Sequence, residues 1–169
     1  MNLDTLFAQQ QILKDRIGYN GPDRFDKLIL ALLVELGECA NEWRGFKFWS
    51  KDQEPRTKVP VTGWGEPYKN PLLEEYVDGL HFVLELGLEI NVTPVVCDLY
   101  LKADDINTQF IGLYQAITHF KVTRSKLAYY SLIEIFAGLG EMLGFTLDQI
   151  EQAYIEKNAV NHERQNTGY

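Results

Sequence analysis

Two pairs of acidic side chains are the residues of this chain whose types and spacing could do chemistry. Glu35 and Glu38 form one pair, and Glu75 and Asp78 form the other. A spacing of three residues is close to one helical turn, so on helices the members of each pair lie on a common face. Stacked like charges are unfavourable unless something neutralises them. The pattern therefore points either to a cation site or to a solvated acidic surface.

The sequence around the carboxylates favours the cation site. Glu35 follows the apolar run Leu28–Val34. Asp78 precedes the apolar segment Gly79–Leu84, so we expect both pairs to lie in buried stretches. Buried carboxylates must be protonated, paired or bound to metal. All-oxygen ligand sets select hard cations, and neither pair has the Glu-x-x-His spacing of a di-iron bundle. The four carboxylates are therefore predicted to bind Mg²⁺, with Mn²⁺ as the alternative ion.

The elements that must position these side chains are predicted to be helices. Apolar residues recur mostly at three- and four-residue spacing, which predicts an all-α bundle of about six helices. Asn70 as N-cap with Pro71 in the first turn marks the start of the third helix. Thr146 and Gln149 form a capping box for the sixth. The predicted helices span about residues 4–17, 23–43, 71–90, 104–120, 125–143 and 147 onward. The short connection between the first two predicts that they pack antiparallel.

Length and composition bound the organisation of the chain. Its 169 residues and 46% hydrophobic content suit a single domain over residues 1–169, with a Pro- and Gly-rich loop insertion at about 50–69. A formal net charge of −8 argues against binding to nucleic acid or to an anionic membrane. The sequence shows neither a signal-peptide pattern nor an apolar run of membrane-spanning length, and Cys39 and Cys97 have no metal-spaced neighbours. A cytoplasmic protein without a disulfide framework is expected.

A second constellation lies near the carboxyl terminus. Lys157, Asn161 and Arg164 share one face of the last predicted helix, and that face can meet an anion. The alternative is a solvated helix end, where cations interact favourably with the helix dipole.

Three motifs, taken in order along the chain, resemble the dimeric dUTP pyrophosphatases of the all-α nucleoside triphosphate pyrophosphatase superfamily. They are Glu35-Leu-Gly-Glu38 with Phe46-Lys-Phe-Trp49, then Glu75-Tyr-Val-Asp-Gly-Leu-His-Phe82, and finally Lys157-Asn-x-x-Asn-x-x-Arg-Gln-x-x-Gly-Tyr169. The resemblance implies hydrolysis of dUTP, and of dUDP as a further substrate, to dUMP by an obligate helical homodimer. It also implies that the four acidic ligands hold Mg²⁺ against the triphosphate. Either Glu35 or Glu38 would orient or deprotonate the attacking water, and the sequence leaves that choice open.

The resemblance also assigns residues to the phosphates and to closure of the site. Lys157 and Arg164 match the positions that offset phosphate charge, and arginine suits bidentate phosphate contact. Asn161 and Tyr169 match positions that close over the nucleotide.

The same resemblance assigns four more residues to contacts with the sugar and the base. His81 and Phe82 match positions beside the deoxyribose, where an imidazole can bond the 3′-hydroxyl and a ring leaves no room for a 2′-hydroxyl. Gln10 matches the glutamine that reads the uracil edge, although a glutamine adjoins it on each side, and Trp49 matches a tryptophan near the base. Without the resemblance, His81 and Trp49 read as core residues.

Alternatives from other classes stay open at this stage. A relative with the same chemistry could act on dCTP or a modified nucleotide, because the carboxylates bind phosphates rather than bases. The fold could also serve a regulatory protein that binds nucleotide without hydrolysing it. A second argument for a dimer is that the apolar and aromatic residues of the fourth and fifth helices exceed what one small core needs; they include Phe110, Leu113, Tyr129, Tyr130 and Phe136.

Overall fold

Helices make up nearly all the regular structure of the chain. The computed structural model describes residues 3–61, 68–92 and 100–168. Within these ranges lie six helices: α1 Leu3–Ile17, α2 Arg24–Trp43, α3 Pro71–Glu89, α4 Ile106–Thr123, α5 Lys126–Met142 and α6 Leu147–Thr167. Two short strands, β1 Val59–Pro60 and β2 Tyr68–Lys69, pair antiparallel. The prediction of an all-α bundle is confirmed.

Helix boundaries follow the capping residues in the sequence. The Asn70 side chain accepts from the Leu73 backbone N–H at 3.1 Å, with Pro71 in the first turn of α3. Thr146 and Gln149 form the predicted capping box at the start of α6. Each cap satisfies backbone N–H groups that have no partner within the helix, which is why it sets the starting residue.

Helix α3 is the central element, and it packs against α1, α2, α5 and α6. Its apolar residues surround the helix on most sides, and the segment from Leu80 to Gly87 is almost continuously buried. Gly79 permits close approach to α5, because a Cβ there would lie 3.3 Å from the Phe136 ring. The Tyr129 hydroxyl, also from α5, donates to the Val83 carbonyl at 3.1 Å. These contacts hold α3 in the interior, where its polar residues His81 and Glu85 are buried.

Helix α1 packs mainly on α3 and α6, so α2 is not one of the main neighbours of α1, and its antiparallel packing against α2 stays a prediction. The buried face of α1 carries Leu6, Phe7, Gln10 and Leu13. The Tyr154 hydroxyl of α6 lies 3.4 Å from the Leu6 carbonyl oxygen of that face. A short connection constrains where two helices meet, but the apolar face of α1 decides which neighbours it covers.

The segment after α2 lies against the ends of α2 and α3. Arg44 Nη2 pairs with Asp52 Oδ2 at 3.0 Å. The Arg56 backbone N–H donates to the Glu42 carbonyl at 3.0 Å, and the Arg56 carbonyl accepts from the Leu72 N–H at 3.2 Å. These bonds bring residues of the predicted loop insertion to the ends of the two helices that carry the acidic motifs.

The hydrophobic core takes residues from all six helices. Phe110, Leu113, Tyr129 and Phe136 are each 5% exposed or less inside this core. These four residues are used within the chain, whereas Tyr130 is partly buried and Ile111, Val122 and Leu127 of the same two helices are exposed. The homodimer stays a prediction from the resemblance.

The remaining sequence features concern membranes and thiols. No single helix of the described residues is long and apolar enough to cross a membrane; the bent pair of α5 and α6 meets that requirement by length and composition only. Cys39 is a free, fully buried cysteine, and burial raises the pKa of its thiol. Cys97 lies outside the described residues.

Candidate active site

Helices α2 and α3 bring three carboxylates together. Glu35 projects from α2, and Glu75 and Asp78 project from neighbouring turns of α3. One carboxylate oxygen of each residue lies within 4.8 Å of the others, and all three side chains are half-buried. We call this group the acidic cluster. Glu38 lies one turn further along α2, is exposed, and does not belong to the three-residue group.

The acidic cluster carries more negative charge than its surroundings neutralise. Burial, followed by the negative charge of Asp78, raises the pKa of Glu35 to about 7. Burial and the charges of Asp78, Glu38 and Glu35 raise the pKa of Glu75 to about 7 as well. A divalent cation would neutralise carboxylates that repel one another in a half-buried site. Their ligand atoms are all oxygen, which suits a hard cation. The charge of Glu38 acts on both glutamates, which places it near the cluster.

Lys157 of α6 provides part of the counter-charge. Its Nζ lies 2.6 Å from Asp78 Oδ2 and 3.7 Å from Glu74 Oε1. Burial still leaves the pKa of Asp78 raised, although Lys157 and Arg164 both act to lower it. Lys157 and Asn161 are half-buried and Arg164 is exposed. The α6 face predicted to meet an anion therefore runs from the acidic cluster toward the carboxyl terminus.

Gln10 lies in a buried polar network at the meeting of α1, α3 and α6. Its side chain is 1% exposed. Its Nε2 donates to Glu85 Oε2 at 2.8 Å, and its Oε1 accepts from the Tyr154 hydroxyl at 2.8 Å. His81 Nδ1 lies 2.8 Å from the same Oε1. Both the nitrogen and the oxygen of the Gln10 amide therefore form hydrogen bonds within the protein. The sequence predicts that the same amide contacts uracil.

His81 is buried one turn after Asp78. Its ring stacks on Tyr154 with centroids 4.1 Å apart. Burial, reinforced by the positive charge of Lys157, lowers the pKa of His81 to about 3, so the imidazole is neutral at physiological pH. Its Nε2 is buried and has no hydrogen-bond partner among the described residues.

Asn158 is a buried residue that the sequence analysis assigned no role. It is 6% exposed, and its Nδ2 completes no hydrogen bond of good geometry in the described part of the chain, although its side chain acts on the Tyr154 hydroxyl and partly offsets the rise that burial gives the pKa of Tyr154. The signal that could have found it is its place one turn after Tyr154 and next to Lys157, inside the carboxyl-terminal motif. Buried polar atoms are rarely left unpaired unless a ligand or water completes them.

Three predicted substrate residues lie apart from this network or outside the described chain. Phe82 is partly buried and packs against the core. Trp49 follows the end of α2, is 65% exposed, and makes edge contacts with the Phe46 and Phe48 rings at 5.7 and 5.0 Å. Tyr169 lies outside the described residues.

A cleft of about 330 Å³ opens beside the acidic cluster. It contains two basic side chains, Arg56 and Lys69, from the segment between α2 and α3. Arg56 Nη1 lies 3.3 Å from Glu42 Oε1 across this cleft. Sequence reasoning gave Arg56 no role, because only the fold brings it back to α2. The cleft is lined by Glu42, Arg56, Val59, Lys69, Pro71, Glu74 and Glu75.

The fold and the acidic cluster define an all-α protein that gathers carboxylates from two adjacent helices beside a cleft, a combination that marks the all-α nucleotide pyrophosphatases as a class. The family model described as dUTPase matches residues 2–169, and the chain belongs to this family. It is a dUTP diphosphatase, which hydrolyses dUTP to dUMP. No curated protein matched the chain. Family membership confirms the resemblance found in the motifs, the nucleotide substrate and the use of a divalent metal.

Proposed function

We propose that this dUTPase depends on Mg²⁺, held by Glu35, Glu75 and Asp78, with Glu38 as the fourth acidic residue of the site. The observation that carries the proposal is the approach of three half-buried carboxylates from two helices to within 4.8 Å. Oxygen ligands alone fit a hard cation. Mn²⁺ fits the same donor set, and dUDP is proposed as a second substrate.

The two glutamates of α2, Glu35 and Glu38, have different roles in this proposal. When bound, Mg²⁺ would offset charge on the phosphate oxygens and lower the pKa of a bound water. Glu35 belongs to the acidic cluster and serves as a ligand. Glu38 is exposed at its edge, so its carboxylate is free to orient the attacking water and accept its proton.

Lys157 and Arg164 act on the phosphates. In the free protein Lys157 is the partner of Asp78. A cation on Asp78 would take over that neutralising role and leave the ammonium group available to a phosphate oxygen. Arg164, two turns along the same face, is the second cation.

His81 and Phe82 face the deoxyribose in this proposal, because His81 carries a free buried Nε2 near the acidic cluster. Asn161 and Tyr169 are proposed to close over the nucleotide, and Trp49 is proposed to lie near the base. Two copies of the chain are proposed to form the active enzyme.

Glutamine substitutions test the carboxylates, because they keep the shape of the side chain and remove its charge. We expect Glu75→Gln and Glu38→Gln each to lower kcat/KM for dUTP at least about a hundredfold. Pyrophosphate release is measured with Mg²⁺, with Mn²⁺ and with chelator. Glu141→Gln is the matched control, since Glu141 of α5 pairs with Lys102 and does not belong to the acidic cluster. Full activity of Glu75→Gln, or of the native enzyme in chelator, would contradict the proposal.

A further inference from the structure

A chain of buried polar side chains crosses the molecule from α2 to α6. Arg24 of α2 pairs with Glu85 of α3. Glu85 accepts from Gln10 of α1, and the Gln10 oxygen faces the two stacked rings. The rings are His81 and Tyr154. All five residues are 8% exposed or less, so their hydrogen-bond directions are set by one another rather than by solvent.

The direction of each bond follows from Arg24. A guanidinium group only donates, so the carboxylate of Glu85 accepts from it. The other Glu85 oxygen accepts from Gln10 Nε2 at 2.8 Å, which turns Gln10 Oε1 toward the rings. The opposite amide orientation would set Oε1 against the Glu85 carboxylate, acceptor against acceptor.

The amide orientation in turn decides where the imidazole carries its proton. Gln10 Oε1 accepts from the Tyr154 hydroxyl, and His81 Nδ1 lies 2.8 Å from the same oxygen. Nδ1 can meet that oxygen only as a donor. A neutral imidazole has one N–H, so His81 Nε2 holds a bare lone pair.

We infer that Gln10 is a positioning residue that keeps the His81 proton on Nδ1, so that Nε2 accepts a hydrogen bond from a hydroxyl of the bound nucleotide. Nε2 is buried and has no partner in the described part of the chain. A phosphate oxygen only accepts and cannot satisfy it. The inference rests on the proposed sugar-side role of His81, and it adds a role for Gln10 beside the contact to uracil that the resemblance assigns to it.

Asn158 supplies the complementary group. Its Nδ2 is a donor that completes no hydrogen bond of good geometry among the described residues, although the side chain acts on the neighbouring Tyr154 hydroxyl, whereas His81 Nε2 is an acceptor. A sugar hydroxyl both donates and accepts, so one hydroxyl can satisfy both atoms. Asn158 and His81 both adjoin Tyr154, the first by its position one turn along α6 and the second by ring stacking.

The tautomer can be observed directly in the folded native enzyme. The chain has three histidines, so ¹⁵N NMR of histidine-labelled protein, with His119→Gln and His162→Gln for assignment, identifies the His81 nitrogens. We expect a protonated, pyrrole-type Nδ1 and an unprotonated, pyridine-type Nε2 near neutral pH. A protonated Nε2 would overturn the inference. This measurement does not depend on how well any Gln10 variant folds.

Kinetics with a substrate analogue test what the tautomer does. We expect Gln10→Leu to lower kcat/KM about tenfold for dUTP, equivalent to losing one hydrogen bond, and to leave kcat/KM for the 3′-deoxy analogue of dUTP nearly unchanged. Gln11→Ala is the matched control, because Gln11 adjoins Gln10 but bonds Asp15 near the surface. An equal loss on both substrates would overturn the inference.

The kinetic result would be different if the proposed contact of His81 with the sugar were itself wrong. If His81 does not face the sugar, the native enzyme itself would hydrolyse dUTP and its 3′-deoxy analogue with equal kcat/KM. If only the role of Gln10 is wrong, the native enzyme would still distinguish the two substrates, and Gln10→Leu would distinguish them equally well.

Discussion

At the scale of single residues, the site is defined by how its charges are compensated. Asp78 has Lys157 as an ion-pair partner at 2.6 Å, whereas Glu35 and Glu75 face mainly other carboxylates. Both side chains of the Asp78–Lys157 pair are 16% exposed, so neither charge is well hydrated. Removing one partner leaves the other charge partly buried and uncompensated, which costs more than the pair itself contributes.

Lys157→Met is predicted to separate these effects. Without divalent cation the variant should lose about 1 to 3 kcal/mol of unfolding free energy, because Asp78 loses its partner. Saturating Mg²⁺ should recover most of that stability by occupying Asp78, but activity should stay low, because the phosphates still lack the ammonium group. Urea unfolding and dUTP turnover measure the two. Lys102→Met, in an exposed pair, is the control. Recovery of activity by Mg²⁺ would argue against a phosphate role for Lys157.

At the scale of helices, the site depends on where α3 begins. Glu75 and Asp78 lie in the first two turns of α3, directly after the Asn70 cap and Pro71. A frayed first turn would loosen both ligands while leaving the core of the helix in place. The segment from Ser50 to Val61 also contacts the start of α3. The Arg56 backbone bonds Glu42 at the end of α2 and Leu72 in the first turn of α3.

Two capping substitutions test this dependence. Asn70→Ala and Thr146→Ala are each expected to lower the unfolding free energy by about 1 kcal/mol, because each removes a side-chain acceptor for a helix N-terminal N–H. Only Asn70→Ala should also weaken Mg²⁺ binding, measured by calorimetry, since α6 begins away from the cluster. Equal Mg²⁺ affinity in the two variants would show that the first turn of α3 does not order the ligands.

At the scale of the whole molecule, the acidic cluster couples folding to pH and to metal. The pKa values of Glu35 and Glu75 are about 7 in the folded protein, above the ordinary value of 4.5. Between these pH values the folded state binds more protons than the unfolded state. Stability therefore falls as pH rises through this window, and a cation that displaces the protons should oppose the fall.

The coupling is measurable by thermal unfolding in chelator and in Mg²⁺. Without metal, we predict that the contribution of this site to the melting temperature decreases as the pH rises from about 4.5 to about 7. The Glu35→Gln and Glu75→Gln variants should show a flatter dependence, and Mg²⁺ should stabilise the native protein more at about pH 7.5 than at about pH 5. Mg²⁺ stabilisation that is independent of pH would contradict the assigned ligands.

Much of this protein could be predicted from local sequence, because helix caps and the 3.6-residue period act within a few residues. The six helices, the Asn70 and Thr146 caps and the placement of the acidic motifs on α2 and α3 follow from such short-range rules. The motifs also identified the family, since their order and residue types do not depend on how the helices pack.

Tertiary structure alone decided the rest, because it depends on contacts between residues far apart in the chain. It placed α1 on α3 and α6, which buried Gln10 against Glu85 and His81. It paired Lys157 with Asp78 across 79 positions, and it placed Arg56 beside the cluster. The residue types were enough to predict carboxylates that bind metal. Packing decides which carboxylates meet and which positively charged side chain balances them. The need to satisfy every buried polar group decides which way a buried amide points.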